Sequence, residues 1–129
     1  MGEGEILIVE DEVLILLEIE AGLEEAGFKV CSESNAERAL AAFDAEPERF
    51  RALIADIRLG PGKSGWDLAR YVRAVNPIMP VIYMSGDSAH EWPVKGVPDS
   101  IMISKPFFMP QVITALATLL NEQRLIPVS

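Results

Sequence analysis

Acidic residues directly follow two apolar runs of the sequence, and their positions are suited to phosphoryl chemistry. Glu10 and Asp11 follow the run ILIV, and Asp56 ends the run ALIAD. Carboxylates of this kind bind hard divalent cations such as Mg²⁺, and an aspartate can also act as a nucleophile that becomes phosphorylated. Ser85 and Lys105 follow or end two later apolar runs. A hydroxyl and an ammonium group are suitable partners for phosphoryl oxygens.

The elements that must position these side chains are five short apolar runs, each typical of a buried strand. They are Glu5–Glu10, Phe28–Ser34, Arg51–Asp56, Pro80–Gly86 and Ser100–Ser104. Helical patterns, with apolar residues three or four positions apart, separate most of the runs. Strands that alternate with helices predict a parallel sheet covered on both faces. Such sheets bind ligands beyond the carboxyl ends of their strands, so we expect the five candidate residues to converge there.

Four helices are predicted from apolar stripes that should face the core. The stripes are Leu16, Ile19, Leu23 and Ala26; Ala36, Ala39, Leu40 and Phe43; Leu68, Ala69, Val72 and Val75; and Val112, Ile113, Leu116, Leu119 and Leu120. A capping box from Ser34 to Glu37 is expected to begin the second helix. The segment Asp87–Asp99 contains two prolines and a glycine within six residues. Proline disrupts helix interiors, so we predict a short helical turn before Pro93 and an irregular, comparatively mobile remainder.

Composition narrows the class of protein. The chain has 129 residues, enough for one compact domain, and a net charge of −9 that argues against nonspecific nucleic-acid binding. It has one cysteine, Cys31, so no internal disulfide can form. No apolar run approaches the roughly 18 residues needed to span a membrane, and the first residues lack a signal-peptide pattern. We therefore expect a cytoplasmic protein with a single domain over residues 1–129 and no membrane partner.

Two enzyme classes are alternatives to a phosphoryl acceptor. Gly62, Lys63 and Ser64 match the end of the phosphate-binding motif G-x-x-x-x-G-K-[ST], which would indicate a nucleotide-binding ATPase. The first glycine of that motif would fall at Ile57, and the loop follows the third strand rather than the first. A haloacid-dehalogenase-type phosphatase would carry a second acid two residues after its nucleophile, where Arg58 stands. Both alternatives therefore fit the sequence less well.

The motifs ILIVEDE, ALIADIRL, VIYMSG and SKPF resemble, in order and spacing, the receiver domain of two-component response regulators. The resemblance covers about residues 4–122 and is closest in kind to stand-alone, chemotaxis-type receivers with no output domain. It implies a flavodoxin-like (βα)5 fold, with a doubly wound parallel sheet in the order 2-1-3-4-5 and a short or irregular fourth helix. It also implies that Asp56 accepts a phosphoryl group from a sensor histidine kinase or a histidine phosphotransfer protein.

The resemblance implies a metal site as well. Glu10 and Asp11 would arrange Mg²⁺, with Asp56 and the backbone carbonyl of Arg58 completing the protein ligands. The protein would then catalyse its own phosphorylation and dephosphorylation without turning over external substrates. It would signal by a phosphorylation-dependent conformational change and by binding a downstream protein.

Further residues are expected to act in the switch. By the resemblance, Ser85 moves towards the phosphoryl group, Lys105 pairs with it, and the bond between Lys105 and Pro106 is often cis. Many receivers carry Tyr or Phe three residues before the lysine, but this chain has Met102. This departure and the irregular fourth helix leave open, as the alternative, a receiver-like protein-interaction module that is not phosphorylated. The intact acid pair, Asp56, Ser85 and Lys105 argue against that alternative.

Two features of the sequence lead to predictions about the entrance of the site and about the surface of the first helix. Arg58 and Asp87 lie two positions after Asp56 and Ser85, and we predict that they form an ion pair across the mouth of the site. Such a pair would limit the access of water and slow loss of the phosphoryl group. Val13–Leu17 is more apolar than one core face requires. This surplus favours either a broad core contact or a docking surface for the helices of the phosphodonor.

Overall fold

A computed structural model of the chain describes residues 4–124, and its five strands form one parallel sheet. The strands are β1 (Glu5–Val9), β2 (Lys29–Glu33), β3 (Phe50–Asp56), β4 (Val81–Ser85) and β5 (Ile101–Ser104). Their order across the sheet is β2-β1-β3-β4-β5, which confirms the predicted topology. The strand order reverses between β1 and β3, so the carboxyl ends of these two strands flank the expected ligand position.

Five α-helices cover the two faces of the sheet. They are α1 (Val13–Glu25), α2 (Ala36–Ala45), α3 (Gly65–Val75), α4 (Trp92–Lys95) and α5 (Met109–Arg124). Short 3₁₀ turns at Pro47–Arg49 and Ala89–Glu91 precede β3 and α4. Within residues 4–124, the structure contains no helix of the length and apolar character required for a membrane span.

The core is divided by the sheet into two layers. Alternate residues of β1 show the division, because Leu7 and Val9 pack with α2 and α3, whereas Ile6 and Ile8 pack with α1 and α5. All four side chains are at most 1% exposed. A strand that is buried on both faces reads as a continuous apolar run, which is why the central strands were recognisable in the sequence.

The start of α2 differs from the predicted capping box. The cap is Asn35, whose side-chain oxygen accepts a hydrogen bond from the backbone N–H of Arg38 at 2.8 Å. Ser34 and Asn35 are both good capping residues and adjoin in the sequence. The chain remains extended through Asn35 (φ −151°, ψ 166°), so the helix begins one residue later than predicted.

Two predictions about burial on the helices are wrong. Ala26 is exposed and follows the end of α1, and Val75, the last residue of α3, is 50% exposed. Both stripes were extended one turn too far, to the helix ends, where the chain leaves the sheet. Trp66, in the first turn of α3, is only 5% exposed because its ring packs against Tyr83, with ring centroids 4.7 Å apart.

The short fourth helix is confirmed, but its position differs from the prediction. Pro93 lies in the first turn of α4 rather than after it. The first N–H groups of a helix have no partner within the helix, so proline costs little at this position. The segment after α4 is irregular, but several of its backbone groups are bonded to side chains of α3 and β4. These contacts oppose the mobility that we expected for it.

Candidate functional site

The carboxyl ends of the strands bring the candidate residues together at one edge of the sheet. Lys105 N–H donates to the carbonyl of Ser85 at 2.8 Å, and Ile57 N–H donates to that of Met84 at 3.1 Å, so the ladders continue into the site. The residues surround an open cleft of about 450 Å³. It is lined by Asp11, Glu12, Asp56, Arg58, Ser85, Gly86, Asp87 and Lys105.

Three carboxylates form an acidic cluster in this cleft. Glu10, Asp11 and Asp56 each place a carboxylate oxygen within 4.8 Å of the other two. Glu10 and Asp56 are 1% and 6% exposed, whereas Asp11 faces solvent. Glu10 Oε1 is buried and accepts no well-directed hydrogen bond. Three carboxylates this close together, two of them buried, fit a hard divalent cation such as Mg²⁺.

Lys105 supplies the positive charge of the cleft. Its Nζ lies 2.9 Å from Glu10 Oε1, 3.4 Å from Asp56 Oδ1 and 3.4 Å from Glu12 Oε1. Burial alone would lower the pKa of Lys105, but the contact with Glu10 and the charge of Asp56 outweigh burial and leave the pKa raised. The lysine is therefore held as a cation by several acids rather than committed to one.

Glu12 is the one acid in contact with Lys105 to which the sequence reasoning assigned no role. The only signal was its place as the third acid in the run Glu10–Glu12. Its backbone N–H donates to Glu10 Oε2 at 3.1 Å, and its own carboxylate is 63% exposed at the rim of the cleft. Glu12 thus helps to orient the buried Glu10 and adds a negative charge at the entrance.

The pKa of Asp56 is raised from 3.8 to about 7. Burial is the main cause, the negative charge of Glu10 adds to it, and Lys105 opposes both. Without a cation, an appreciable fraction of Asp56 is protonated near neutral pH. A nucleophilic carboxylate must be ionised, so the site requires additional positive charge to act as a phosphoryl acceptor.

Ser85 ends β4, the strand beside β3, lines the same cleft and is 2% exposed. Its Oγ accepts hydrogen bonds from the backbone N–H of Ser88 at 2.6 Å and of Asp87 at 3.2 Å. A hydroxyl that accepts these bonds can still donate its own hydrogen. In this arrangement Ser85 is therefore tied to the loop that follows β4.

The predicted ion pair across the mouth of the cleft is present. Arg58 Nη2 lies 2.9 Å from Asp87 Oδ2. The two side chains are 75% and 55% exposed, and exposed pairs of this kind contribute about 0–1 kcal/mol to stability. The pair lines the cleft, and its gating role stays a prediction.

The loop between β3 and α3 begins a helix and does not form a phosphate-binding loop. Ser64 caps α3, with its Oγ accepting from Asp67 N–H at 3.2 Å, while Asp67 Oδ2 accepts from Ser64 N–H at 3.0 Å. Lys63 is exposed and lies outside the cleft lining. A Cβ atom at Gly65 would overlap the carbonyl oxygen of Asp56, so a glycine is needed for the close approach of α3.

Two further predicted residues lie near β5. Met102 is partly buried, pairs in register with Tyr83 and packs in the core layer of α2 and α3, so it does not line the cleft. The bond between Lys105 and Pro106 is cis, as the resemblance implied. The structure thus brings together Glu10, Asp11, Asp56, Arg58, Ser85, Asp87 and Lys105, and it leaves Met102 apart.

Comparison with known proteins gives a consistent result. A sequence profile described as the response regulator receiver domain matches residues 6–117. A receiver protein from Sinorhizobium medicae WSM419 is 39% identical, with a TM-score of 0.90 over 94% of this chain and 97% of that one. A CheY-like receiver domain protein from Methanospirillum hungatei JF-1 is 28% identical, with a TM-score of 0.85 over 95% and 97% of the two chains.

Curated relatives include longer proteins. The transcriptional regulatory protein CusR of Escherichia coli K12 is 33% identical over 121 residues, which are 91% of this chain and 51% of CusR. The C4-dicarboxylate transport transcriptional regulatory protein DctD of Rhizobium meliloti is 29% identical over 94% of this chain and 26% of DctD. The chain spans about half the length of the first curated relatives that it matches.

Proposed function

From the premise that the chain belongs to the receiver-domain family of two-component response regulators, we propose that Asp56 is its phosphoacceptor. The donor would be a phosphohistidine of a sensor histidine kinase or of a histidine phosphotransfer protein, and the reaction would require Mg²⁺. The observation that carries this proposal is the position of Asp56 Oδ1, 3.4 Å from Lys105 Nζ in a cleft that also holds Ser85. Receiver domains are signalling modules and do not turn over external substrates.

The chain's own residues supply most of what the transfer needs. Glu10, Asp11, Asp56 and the carbonyl of Arg58 would hold Mg²⁺. When bound, this ion would neutralise negative charge on the phosphoryl oxygens. An Asp56 carboxylate oxygen forms the new bond to phosphorus as the bond from phosphorus to the donor histidine nitrogen breaks. Lys105 then pairs with a phosphoryl oxygen in place of part of its contact with the carboxylates.

Ser85 is proposed to convert this chemistry into a change of shape. Its hydroxyl would donate to a phosphoryl oxygen on Asp56, which alters its bonds to the loop after β4. The loop would then favour a second arrangement, because the phosphoryl group on Asp56 interacts more strongly with that arrangement than with the first. A downstream protein that binds this second arrangement would receive the signal.

A surface for the donor is proposed on α1, beside the cleft. Val13, Leu14 and Leu17 are 63%, 82% and 51% exposed and begin two residues after Asp11. Their exposure supports the docking interpretation over the broad core contact. An apolar helix face next to the phosphoacceptor can pack against helices that present a phosphohistidine.

The test is the intact mass of the protein after incubation with acetyl phosphate, with and without Mg²⁺. We expect one phosphoryl adduct that requires Mg²⁺ and is absent in Asp56→Asn. Asp99→Asn is the matched control, because Asp99 is exposed and does not line the cleft. An adduct that persists in Asp56→Asn would move the acceptor elsewhere. No adduct with acetyl phosphate or with a phosphohistidine donor would favour the interaction module that is not phosphorylated.

A further inference from the structure

The segment Lys95–Pro98, which we call the strap, connects α4 to the turn before β5 and is held by side chains from other elements. Arg70 Nη2 donates to the carbonyl of Lys95 at 3.0 Å, and Arg73 Nη1 donates to the carbonyl of Pro98 at 2.6 Å. Both arginines belong to α3. Held in this way, the strap has a defined position, even though residues 96–98 form no helix or strand.

The middle of the strap is attached to the core of the sheet through Tyr83. Val97 N–H donates to Tyr83 Oη at 3.1 Å, and Tyr83 is completely buried. The carbonyl of Val97 accepts from Ser100 Oγ at 2.6 Å, and Trp92 Nε1 donates to the same hydroxyl at 2.9 Å. Both backbone polar groups of Val97 are therefore bonded to side chains, and only Tyr83 connects them to a central strand.

Tyr83 also lies next to the elements that hold the candidate site. It precedes Ser85 by two residues on β4, so both side chains lie on the same face of the sheet. Its ring packs against Trp66 in the first turn of α3, with centroids 4.7 Å apart. The neighbouring Gly65 lies against the carbonyl of Asp56. A single buried ring thus packs against Trp66, the residue after Gly65, and bonds through its hydroxyl to the strap.

The loop after β4 completes the connection. Ser85 Oγ accepts from the N–H groups of Asp87 and Ser88, and the chain then passes through the turn Ala89–Glu91 and α4 into the strap. If Ser85 turns towards Asp56, this loop must shift, and the strap shifts with it. Tyr83 is packed on all sides in the core and does not follow, because close-packed cores resist displacement.

We propose that Tyr83 is a positioning residue whose hydroxyl holds the strap in the arrangement where Ser85 is bonded to the loop. The bond to Val97 is lost when Ser85 turns to a phosphoryl group on Asp56. This inference rests on the proposed function, because it concerns how the same site controls a distant segment. It assigns the strap, together with α3, to the part of the molecule that reports phosphorylation.

The proposed role of Tyr83 can be tested by removing a single oxygen atom. Tyr83→Phe keeps the ring and removes the bond, so it should favour the second arrangement by about fivefold, the effect of one ordinary hydrogen bond. Beryllium fluoride with Mg²⁺ serves as the probe, because it mimics a phosphoryl group on a carboxylate. The variant should bind it about fivefold more tightly than the unmodified chain, as followed by tryptophan fluorescence.

A matched control separates coupling from stability. Tyr71→Phe also removes a phenol hydrogen bond, from Tyr71 Oη to Asp44 Oδ1 at 2.7 Å, but on the exposed surface of α3. It should leave the affinity for beryllium fluoride unchanged. For Tyr83→Phe, the free energy of unfolding should fall without the probe and be nearly unaffected at saturation, since binding and folding are linked. An equal loss in both conditions, with unchanged affinity, would show that Tyr83 is only structural and would overturn the proposal.

Hydrogen exchange at the Val97 amide gives a second test that needs no variant. In the unmodified chain, its protection should fall when beryllium fluoride and Mg²⁺ are added. Unchanged protection with a bound probe would overturn the inference about Tyr83 and leave the phosphoacceptor intact. If the unmodified chain does not bind the probe and forms no adduct with acetyl phosphate or with a phosphohistidine donor, the proposed function fails, and the inference fails with it.

Discussion

At the scale of single residues, the burial of Asp56 opposes the ionised state that its proposed role as a nucleophile requires. Its carboxyl group lies between Glu10 and Lys105 in a largely buried position, which raises its pKa to about 7. A group whose pKa is raised in the folded chain favours folding while it is protonated. Between about pH 4 and pH 7 the carboxyl group of Asp56 binds fewer protons in the unfolded than in the folded chain, so its contribution to the free energy of unfolding falls as the pH rises through this range.

Replacing Asp56 by asparagine should therefore stabilise the protein, and increasingly so at higher pH. The measurement is urea unfolding with a chelator present. At pH 8 we expect the free energy of unfolding of Asp56→Asn to be about 1–2 kcal/mol higher than that of the unmodified chain, after allowance for partial solvation of the carboxyl group. The difference should vanish near pH 4. Asp99→Asn serves as the control at an exposed site. A difference that does not change with pH would contradict the raised pKa.

The pair of Arg58 and Asp87 should matter for the lifetime of the phosphoryl group more than for folding. We expect Arg58→Gln with Asp87→Asn to change the free energy of unfolding by less than about 0.5 kcal/mol, because both side chains are exposed. The double variant should lose the phosphoryl group several-fold faster, since water reaches Asp56 more easily. The measurement is the decay of the adduct by intact mass, and an unchanged decay rate would remove the idea of a gate.

At the scale of secondary structure elements, the start of α2 offers a direct test of the cap. Asn35→Ala should destabilise the protein by about 1 kcal/mol, because the N–H of Arg38 loses its partner. Ser34→Ala should have little effect, since the Ser34 hydroxyl does not cap the helix. Thermal or urea unfolding of the two variants gives the comparison. The reverse order would restore the capping box predicted from the sequence.

The cap of α2 and the sheet show where sequence reasoning succeeds and where it stops. The parallel sheet and the convergence of Asp56 and Lys105 were predictable from the residues, because buried parallel strands have a clear pattern and their ends meet at one edge. The strand order was implied by the resemblance to receiver domains. The choice between Ser34 and Asn35 was not predictable, since both residue types cap helices. The burial of Trp66 could not be predicted from a helical pattern, because it depends on packing against Tyr83.

The strap marks the strongest limit of prediction from sequence. Its prolines correctly indicated irregular backbone, but the residues that hold it lie far away in the chain. Arg70 is 25 residues from Lys95, and Tyr83 is 14 residues from Val97. Bonds between separate elements leave no local pattern. The role of Glu12 was missed for the same reason, since Lys105 reaches it from 93 residues away.

At the scale of the whole molecule, the net charge of −9 and the acidic cluster predict stabilisation by divalent cations. Mg²⁺ at ten times its dissociation constant should raise the free energy of unfolding by about 1.4 kcal/mol. Asp11→Asn should weaken this effect, and NaCl at matched ionic strength controls for screening of the acidic surface. Equal stabilisation by NaCl and MgCl₂ would argue against a specific metal site. Urea unfolding provides the measurement.

The assembly of the site from strand ends has a consequence for how the protein is made. Glu10, Asp56 and Lys105 are brought together only by pairing β1 with β3, β3 with β4 and β4 with β5. Such contacts between distant parts of a chain form late in folding, because long loops must close first. A nascent chain therefore has no complete site until Lys105 has left the ribosome. On the proposed function, transfer of a phosphoryl group to Asp56 would have to wait until that point of synthesis.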